Sequence, residues 1–246
     1  GMYDRAGAAG RDILAALDGG FCNRTMFTAA LERITLVARA RKDAALCRRA
    51  NDPGRPRKVY GDEKFTPEQI RRDDSVPWKS ETLYLGGRRR QVRYKEVADV
   101  LWQRGAKRRP LRLFVIAPTP YRLSPGMPAY YRQPAYLLVT ECDHHARAIL
   151  QCYFDRWQIE VNHRDEKQHI GVADAQVWND RSVDRQPALM VAAYSFLLLA
   201  SLNAFGPLRT EDYMQPPAWQ RKRRQRASCL DLIAKLREEA TTSPEC

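Results

Sequence analysis

Four side chains in the run YFDRWQIEVNHRDEK, residues 153 to 167, have types and spacing that could do chemistry together: Tyr153, Arg156, Glu160 and Lys167. Placed on a helix at about 100° per residue, they fall within an arc of roughly 60°. Glu160 is then a carboxylate flanked by a phenol, a guanidinium and an ammonium. A carboxylate can hold a divalent metal, and the three neighbours can contact phosphate, so the pattern fits a phosphodiester site. A plainer account is also open: Arg156 and Glu160 make an i,i+4 pair on a solvated helix, worth about 0.3–0.5 kcal/mol.

A helix must hold those residues. Leu150, Phe154, Trp157 and Val161 form a neighbouring apolar stripe at steps of four, three and four, which predicts a helix pinned against a core. Trp157 has two readings, as an anchor in that stripe or as a ring on which an unpaired base stacks.

Earlier in the chain, ILAAL (13–17) predicts a strand, TMFTAALERI (25–34) an amphipathic helix and ITLVARA (34–40) a second strand, the pattern of an α/β unit. The first strand runs into Asp18-Gly-Gly, where the carboxylate serves either a turn or a ligand set. Region 47–134 is rich in Arg and Pro. It predicts a loop over NDPGRPRKVYGDEK (51–64), a hairpin over 83–94 turning at Gly86-Gly87, and further strands at LRLFVIA and YLLVT. Helix resumes after Asp143 and continues to the apolar run Ala188–Leu202, which falls short of the ~20 residues that cross a bilayer and reads as a buried helix. The tail, 210–246, has a basic run at 221–226 and a short helix that Ser228 would cap.

Composition narrows the partners. The chain of 246 residues carries 42 Lys+Arg against 29 Asp+Glu, a net charge of +13, so its field favours a polyanion, with nucleic acid first. Its six cysteines form no C-x-x-C pair, and the group Cys142, His144, His145 and Cys152 fits no standard zinc spacing. No membrane partner is expected, and a reducing cytoplasm fits.

The 153–167 run matches without a gap the Y-x2-R-x3-E-x6-K signature of the DDE transposases encoded by insertion sequences, and the chain resembles that family in RWQIE and KQHIG around it. ILAALDGGFCNRTMF resembles the strand carrying the family's second catalytic Asp, here Asp18, and LVARARKDAAL the next core strand. The resemblance implies an α/β fold: a ribonuclease H-like catalytic core over 1–46, a β-rich insertion over 47–134, completion of the core with the Glu-bearing helix over 135–209, and a basic tail over 210–246. It implies metal-dependent cleavage and strand transfer of DNA, with Asp18 and Glu160 as catalytic metal ligands for two Mg²⁺ or Mn²⁺ ions. Tyr153, Arg156, Trp157 and Lys167 become the DNA contacts, at transposon ends and target, in the bacterial nucleoid.

The family's first Asp lies on an earlier strand. Neither Asp4 nor Asp12 has the strand and connection expected after it, so the core reads as N-terminally truncated, inactive as this piece and an enzyme in the full-length context. The alternative is a non-catalytic DNA-binding or regulatory protein that pairs with itself or with a full-length transposase.

Overall fold

In a computed structural model, the described residues are 7, 10–29, 31–51, 59–85, 88–121, 126–140, 144–172, 174–206 and 227–242. They form two compact units, Gly1–Leu85 with Arg89–Arg156, and Gly86–Arg88 with Trp157–Cys246.

The first unit is a mixed α/β sheet. Strand β1 (Ile13–Leu17) ends at Asp18, a one-turn 3-10 segment follows at Gly19–Phe21, and α1 (Arg24–Thr28) leads to β2 (Ile34–Arg39). β1 and β2 are parallel, with Ile13 opposite Ile34 and Leu17 opposite Ala38. The helix expected over 25–34 is therefore short. Asn23 caps it by accepting from the Met26 N–H at 3.1 Å, Ala29 turns extended (ψ 136°), and Arg33 takes φ 57°. Ile34 is claimed by the ladder with β1, and that register overrides the apolar periodicity.

β3 (Leu46–Arg49) and β4 (Tyr60–Phe65) pair antiparallel, so the second half of the expected 51–64 loop is strand; residues 52–58 lie outside the described ones. α2 (Pro67–Arg72) starts with a capping box in which Thr66 and Gln69 satisfy each other's backbone N–H groups. β5 (Lys79–Leu85) pairs with β6 (Arg88–Leu101) as the expected hairpin, longer than 83–94; its Gly86-Gly87 turn lies outside the described residues. After α3 (Gln103–Ala106) come β7 (Pro110–Ile116), the ribbon strands β8 (Pro120–Tyr121) and β9 (Tyr130–Tyr131), β10 (Ala135–Thr140), and α4 (Ala146–Asp155).

The sheet order is β1-β2-β10-β7-β6-β3-β4, with β5 joined to β6. Alternation along its central strands feeds two cores. Leu111, Leu113 and Val115 with Tyr136 and Leu138 face one side, toward Phe27 and Ile70. Phe114 and Ile116 with Leu137 and Val139 face the other, where Ile149 and Leu150 of α4 close over them. Both helix residues are fully buried, each worth about 1.5–3 kcal/mol. In β6 one extra residue separates Val97 from Val100 opposite Leu113 and Leu111, a bulge at which Asp99 takes φ 54°.

Lys95 of β6 is fully buried. Its Nζ donates to the carbonyls of Ile70 (3.2 Å) and Asp73 (2.6 Å) at the C-terminal end of α2, and lies 4.8 Å from the Trp78 ring centre. The charge is thus stabilised by carbonyl dipoles and a π face.

The second unit contains α5 (Gln158–Asp165), a π-helical segment Glu166–Ile170, α6 (Asp180–Phe205) and α7 (Cys229–Thr242). Ser228 does cap α7: its Oγ accepts from the Asp231 N–H at 3.3 Å, and its own N–H donates to Asp231 Oδ2 at 2.8 Å. Phe205, Ala227 and Leu232 make a small core with Leu197 and Leu198. The buried helix expected at 188–202 is corrected in two respects. α6 has 26 residues, long and apolar enough to cross a membrane by length and composition, and only 17 % of its most apolar stretch is buried. Among the described residues, too few neighbours pack on it to cover Leu189, Phe196 and Leu199, which are exposed.

Candidate functional site

Asp18 stands at the carboxyl end of β1, beside a parallel neighbour, the end of a strand pair at which open α/β sheets place ligands. Its Oδ1 accepts from the Gly19 N–H at 2.8 Å, and its carbonyl accepts from Phe21 N–H at 3.0 Å. The carboxylate is exposed and positioned by the turn it caps, so the turn role and a ligand role are compatible. Asp12 is exposed just before β1, and Asp4 lies outside the described residues.

α4 brings Tyr153 to the sheet. The helix packs on β1, β2 and β5, with the Cys152 thiol 3.7 Å from the Leu14 carbonyl and the Tyr153 ring edge-on to Phe154 at 5.4 Å. Tyr153 joins the margin of the core under α4 and is half-buried. Burial raises the Cys152 thiol above its usual value, which with the Leu14 contact gives it a packing role.

The single continuous helix expected across 153–167 is replaced by three helical pieces. α4 ends at Asp155, Arg156 and Trp157 form a turn with helical dihedrals, α5 runs to Asp165, and the backbone then widens into the π-helical segment holding Lys167. The widened turn changes the angle per residue, so the 100° wheel does not carry through to Lys167. The apolar stripe stops short as well: Leu150 is fully buried, Phe154 half-buried, and Trp157 is 54 % exposed. About half of the Trp157 surface is thus open to solvent, and both readings of the ring, partial anchor and stacking face, stay open.

Tyr153 and Arg156 close the first unit; Trp157, Glu160 and Lys167 belong to the second. Glu160 is exposed in the first turn of α5, where the helix dipole favours a negative charge. Lys167 is exposed in the π-helical segment. Nearby, Asp165 is buried and accepts from Arg164 at 3.1 Å, His163 lies 3.2 Å from Glu166, and Asn162 Oδ1 accepts from the Tyr194 hydroxyl at 3.2 Å, fixing the segment to α6.

Asp18 and Glu160 are hard oxygen donors of the kind Mg²⁺ and Mn²⁺ take. Among the described residues, no group of three or more His, Cys, Asp or Glu converges. Of the basic groups, Arg89 and Arg90 of the GRRR turn are exposed on β6, and the 221–226 run lies outside the described residues.

Sequence reasoning missed two polar clusters and an aromatic ribbon. Glu68 of α2 accepts from Arg71 (2.7 Å), Arg72 (2.8 Å) and the Tyr136 hydroxyl. The Arg71 bonds, helped by Tyr136 and Arg72, hold the Glu68 carboxyl down at about 2, and burial pushes the Tyr136 phenol up to about 12. Glu96 accepts from Arg112 and, at 3.0 Å, from Lys79, while Arg112 also donates to the His144 carbonyl at 2.8 Å. The i,i+3 and i,i+4 spacing of Glu68, Arg71 and Arg72 was legible; their partner Tyr136, 68 residues away, was not. The ribbon is Tyr121, Tyr130 and Tyr131, all exposed on β8 and β9.

No protein-family model and no curated protein matches this chain.

Proposed function

We propose that this chain carries the catalytic region of a DDE transposase, cutting and joining the DNA of an insertion sequence. The observation that carries the reading is the ungapped set Tyr153, Arg156, Glu160 and Lys167, downstream of Asp18 in that chain order. A parallel strand pair joined through a helix, with Asp18 at its carboxyl end, is compatible with a ribonuclease H-like core and supports the reading further. Asp18 and Glu160 each serve as a carboxylate ligand for Mg²⁺ or Mn²⁺. Bound divalent ions supply Lewis-acid activation of water or a 3′-hydroxyl and stabilisation of the leaving oxygen. Arg156 and Lys167 offer cationic donors to phosphate, Tyr153 a hydroxyl, and Trp157 an exposed ring for an unpaired base.

A second reading is a non-catalytic DNA-binding or transposase-pairing regulator, for which the net charge of +13 alone would serve duplex binding. One experiment addresses both: Mn²⁺ binding to the full chain by electron paramagnetic resonance, beside nicking of supercoiled plasmid in Mg²⁺ or Mn²⁺. The transposase reading expects Asp18→Asn and Glu160→Gln each to bind Mn²⁺ at least about tenfold more weakly while keeping duplex DNA, and any nicking shown by the parent to be lost in both. Mn²⁺ binding and nicking equal to the parent in both variants would overturn the metal assignment. Duplex binding by the parent without Mn²⁺ binding leaves the regulator, whereas a lack of nicking alone fits both readings.

A further inference from the structure

The β8–β9 ribbon forms a two-stranded sheet of its own, outside the order of the main sheet. Pro120 lies opposite Tyr131, and Tyr121 opposite Tyr130. Side chains directly opposite share a face, and so do residues two apart, which puts Tyr121, Tyr130 and Arg132 on one face and Tyr131 on the other. The geometry agrees: the Tyr121 and Tyr130 rings are 5.8 Å apart and tilted by 34°, and the Arg132 guanidinium lies 5.8 Å from the Tyr121 ring centre. Arg90 of β6 donates to the Pro120 carbonyl at 3.4 Å, tying the ribbon to the main sheet.

Among the described residues, none of these three tyrosines joins a hydrophobic cluster. Tyr131 is 65 % exposed and Tyr130 44 %. Two occupants suit exposed rings of this kind, another protein or the faces of nucleobases, since Tyr and Arg serve in both. Charge separates them. From Ala117 to Pro134 the sequence has three tyrosines, two arginines and no carboxylate, and the adjoining 88–93 stretch, RRRQVR, has none either, in a chain of net charge +13. Two adjoining stretches that offer rings and cations and no carboxylate of their own complement a polyanion that carries stacking groups. A duplex hides the faces of its bases, so the rings address an unpaired strand.

We propose that the β8–β9 ribbon is a stacking shelf for an unpaired DNA strand, with Tyr121 and Tyr130 receiving bases and Arg132 and Arg90 meeting phosphates. The inference rests on the proposed function for the polymer being DNA; the shelf itself uses neither Asp18 nor Glu160.

The test is fluorescence anisotropy of the full chain with a labelled oligothymidylate and with a duplex of equal length, at one salt concentration. A Tyr121→Ala, Tyr130→Ala double variant is expected to bind the single strand about tenfold more weakly or worse, with duplex affinity within about twofold of the parent. The corresponding Phe double variant keeps single-strand affinity. Arg132→Gln flattens the salt dependence by about 0.7 in log–log slope. Unchanged oligothymidylate binding by the Ala variant, or an equal loss on both nucleic acids, would overturn the shelf, and tighter binding of oligouridylate than of oligothymidylate would overturn DNA as the strand.

A measurement on the unaltered protein guards against a misfolded variant. Photo-crosslinking with an iodouracil-substituted oligonucleotide should give adducts on Tyr121 or Tyr130 by mass spectrometry, and adducts found only elsewhere would refute the proposal. The Tyr121→Ala, Tyr130→Ala variant keeps the Mn²⁺ binding of the parent, so failure of the metal site and failure of the shelf are read separately.

Discussion

The side-chain amide of Gln151 pairs with both backbone groups of Tyr84, accepting from its N–H at 2.8 Å and donating to its carbonyl at 3.0 Å. Among the described strands β5 pairs only with β6, and α4 thus supplies, through one side chain, the hydrogen bonds a further strand would have made. The same bonds fix the turn of α4 that carries Tyr153.

Replacing Gln151 by Leu leaves two partly buried backbone groups without that partner. The expected cost is about 1–3 kcal/mol. Urea unfolding should show a lower midpoint with an unchanged slope, the sign of lost stability without a change in the surface exposed.

Glu68 predicts an acid limb. Its carboxyl is held at about 2 in the folded protein against an ordinary 4.5, so its contribution is complete above pH 4.5 and is lost as the pH falls toward 2. Glu68→Gln should flatten that part of a stability–pH curve and cost about 1.5–3 kcal/mol at neutral pH, where charged hydrogen bonds from Arg71 and Arg72 are removed. Tyr136 acts at the other end: its phenol is pushed from 10 to about 12, so its contribution fades as the pH rises from 10 through 12. Thermal melts across pH check both limbs.

The α3 turn offers two substitutions of opposite sign. A Cβ on Gly105 would come within 2.1 Å of the Trp102 indole, which is itself held edge-on against the buried Phe27 at 5.6 Å. Gly105→Ala is expected to destabilise by about 1–3 kcal/mol, because the ring has to shift within a packed core. Two residues on, Lys107 adopts φ 53° and ψ −126°, a backbone conformation that suits glycine. Lys107→Gly is expected to stabilise by roughly 1 kcal/mol, measured by the same unfolding curve.

Much of the first unit was legible in its sequence because hydrophobic runs and ladder partners agree there. ILAAL is the strand Ile13–Leu17, and the apolar cores of LRLFVIA and YLLVT sit within Pro110–Ile116 and Ala135–Thr140. Thr66-Pro67-Glu68-Gln69 also carried a readable helix start, which the Arg- and Pro-rich surroundings concealed. Lys95 was not readable, since the groups that receive its charge are main-chain carbonyls that no residue type announces. Nor was the exposure of Phe196 and Leu199, because composition states a preference for burial and only packing decides whether a neighbour arrives. At the candidate site, Asp18 was placed correctly at a strand end. The tightened turn at Arg156–Trp157 and the π-helical segment at Lys167 were invisible to a wheel that assumes one pitch throughout.

The strand order has a consequence for how the first unit opens. β10 hydrogen-bonds to β2 on one side and to β7 on the other, so a strand late in the chain is clasped between one that precedes the β-rich segment and one that belongs to it. Neither neighbour can leave without stripping an edge of β10, whose residues are all buried. Amide protons on β2, β7 and β10 should therefore share one exchange rate, set by a single concerted opening, while those at the rim on β4 trade with solvent through smaller, separate fluctuations.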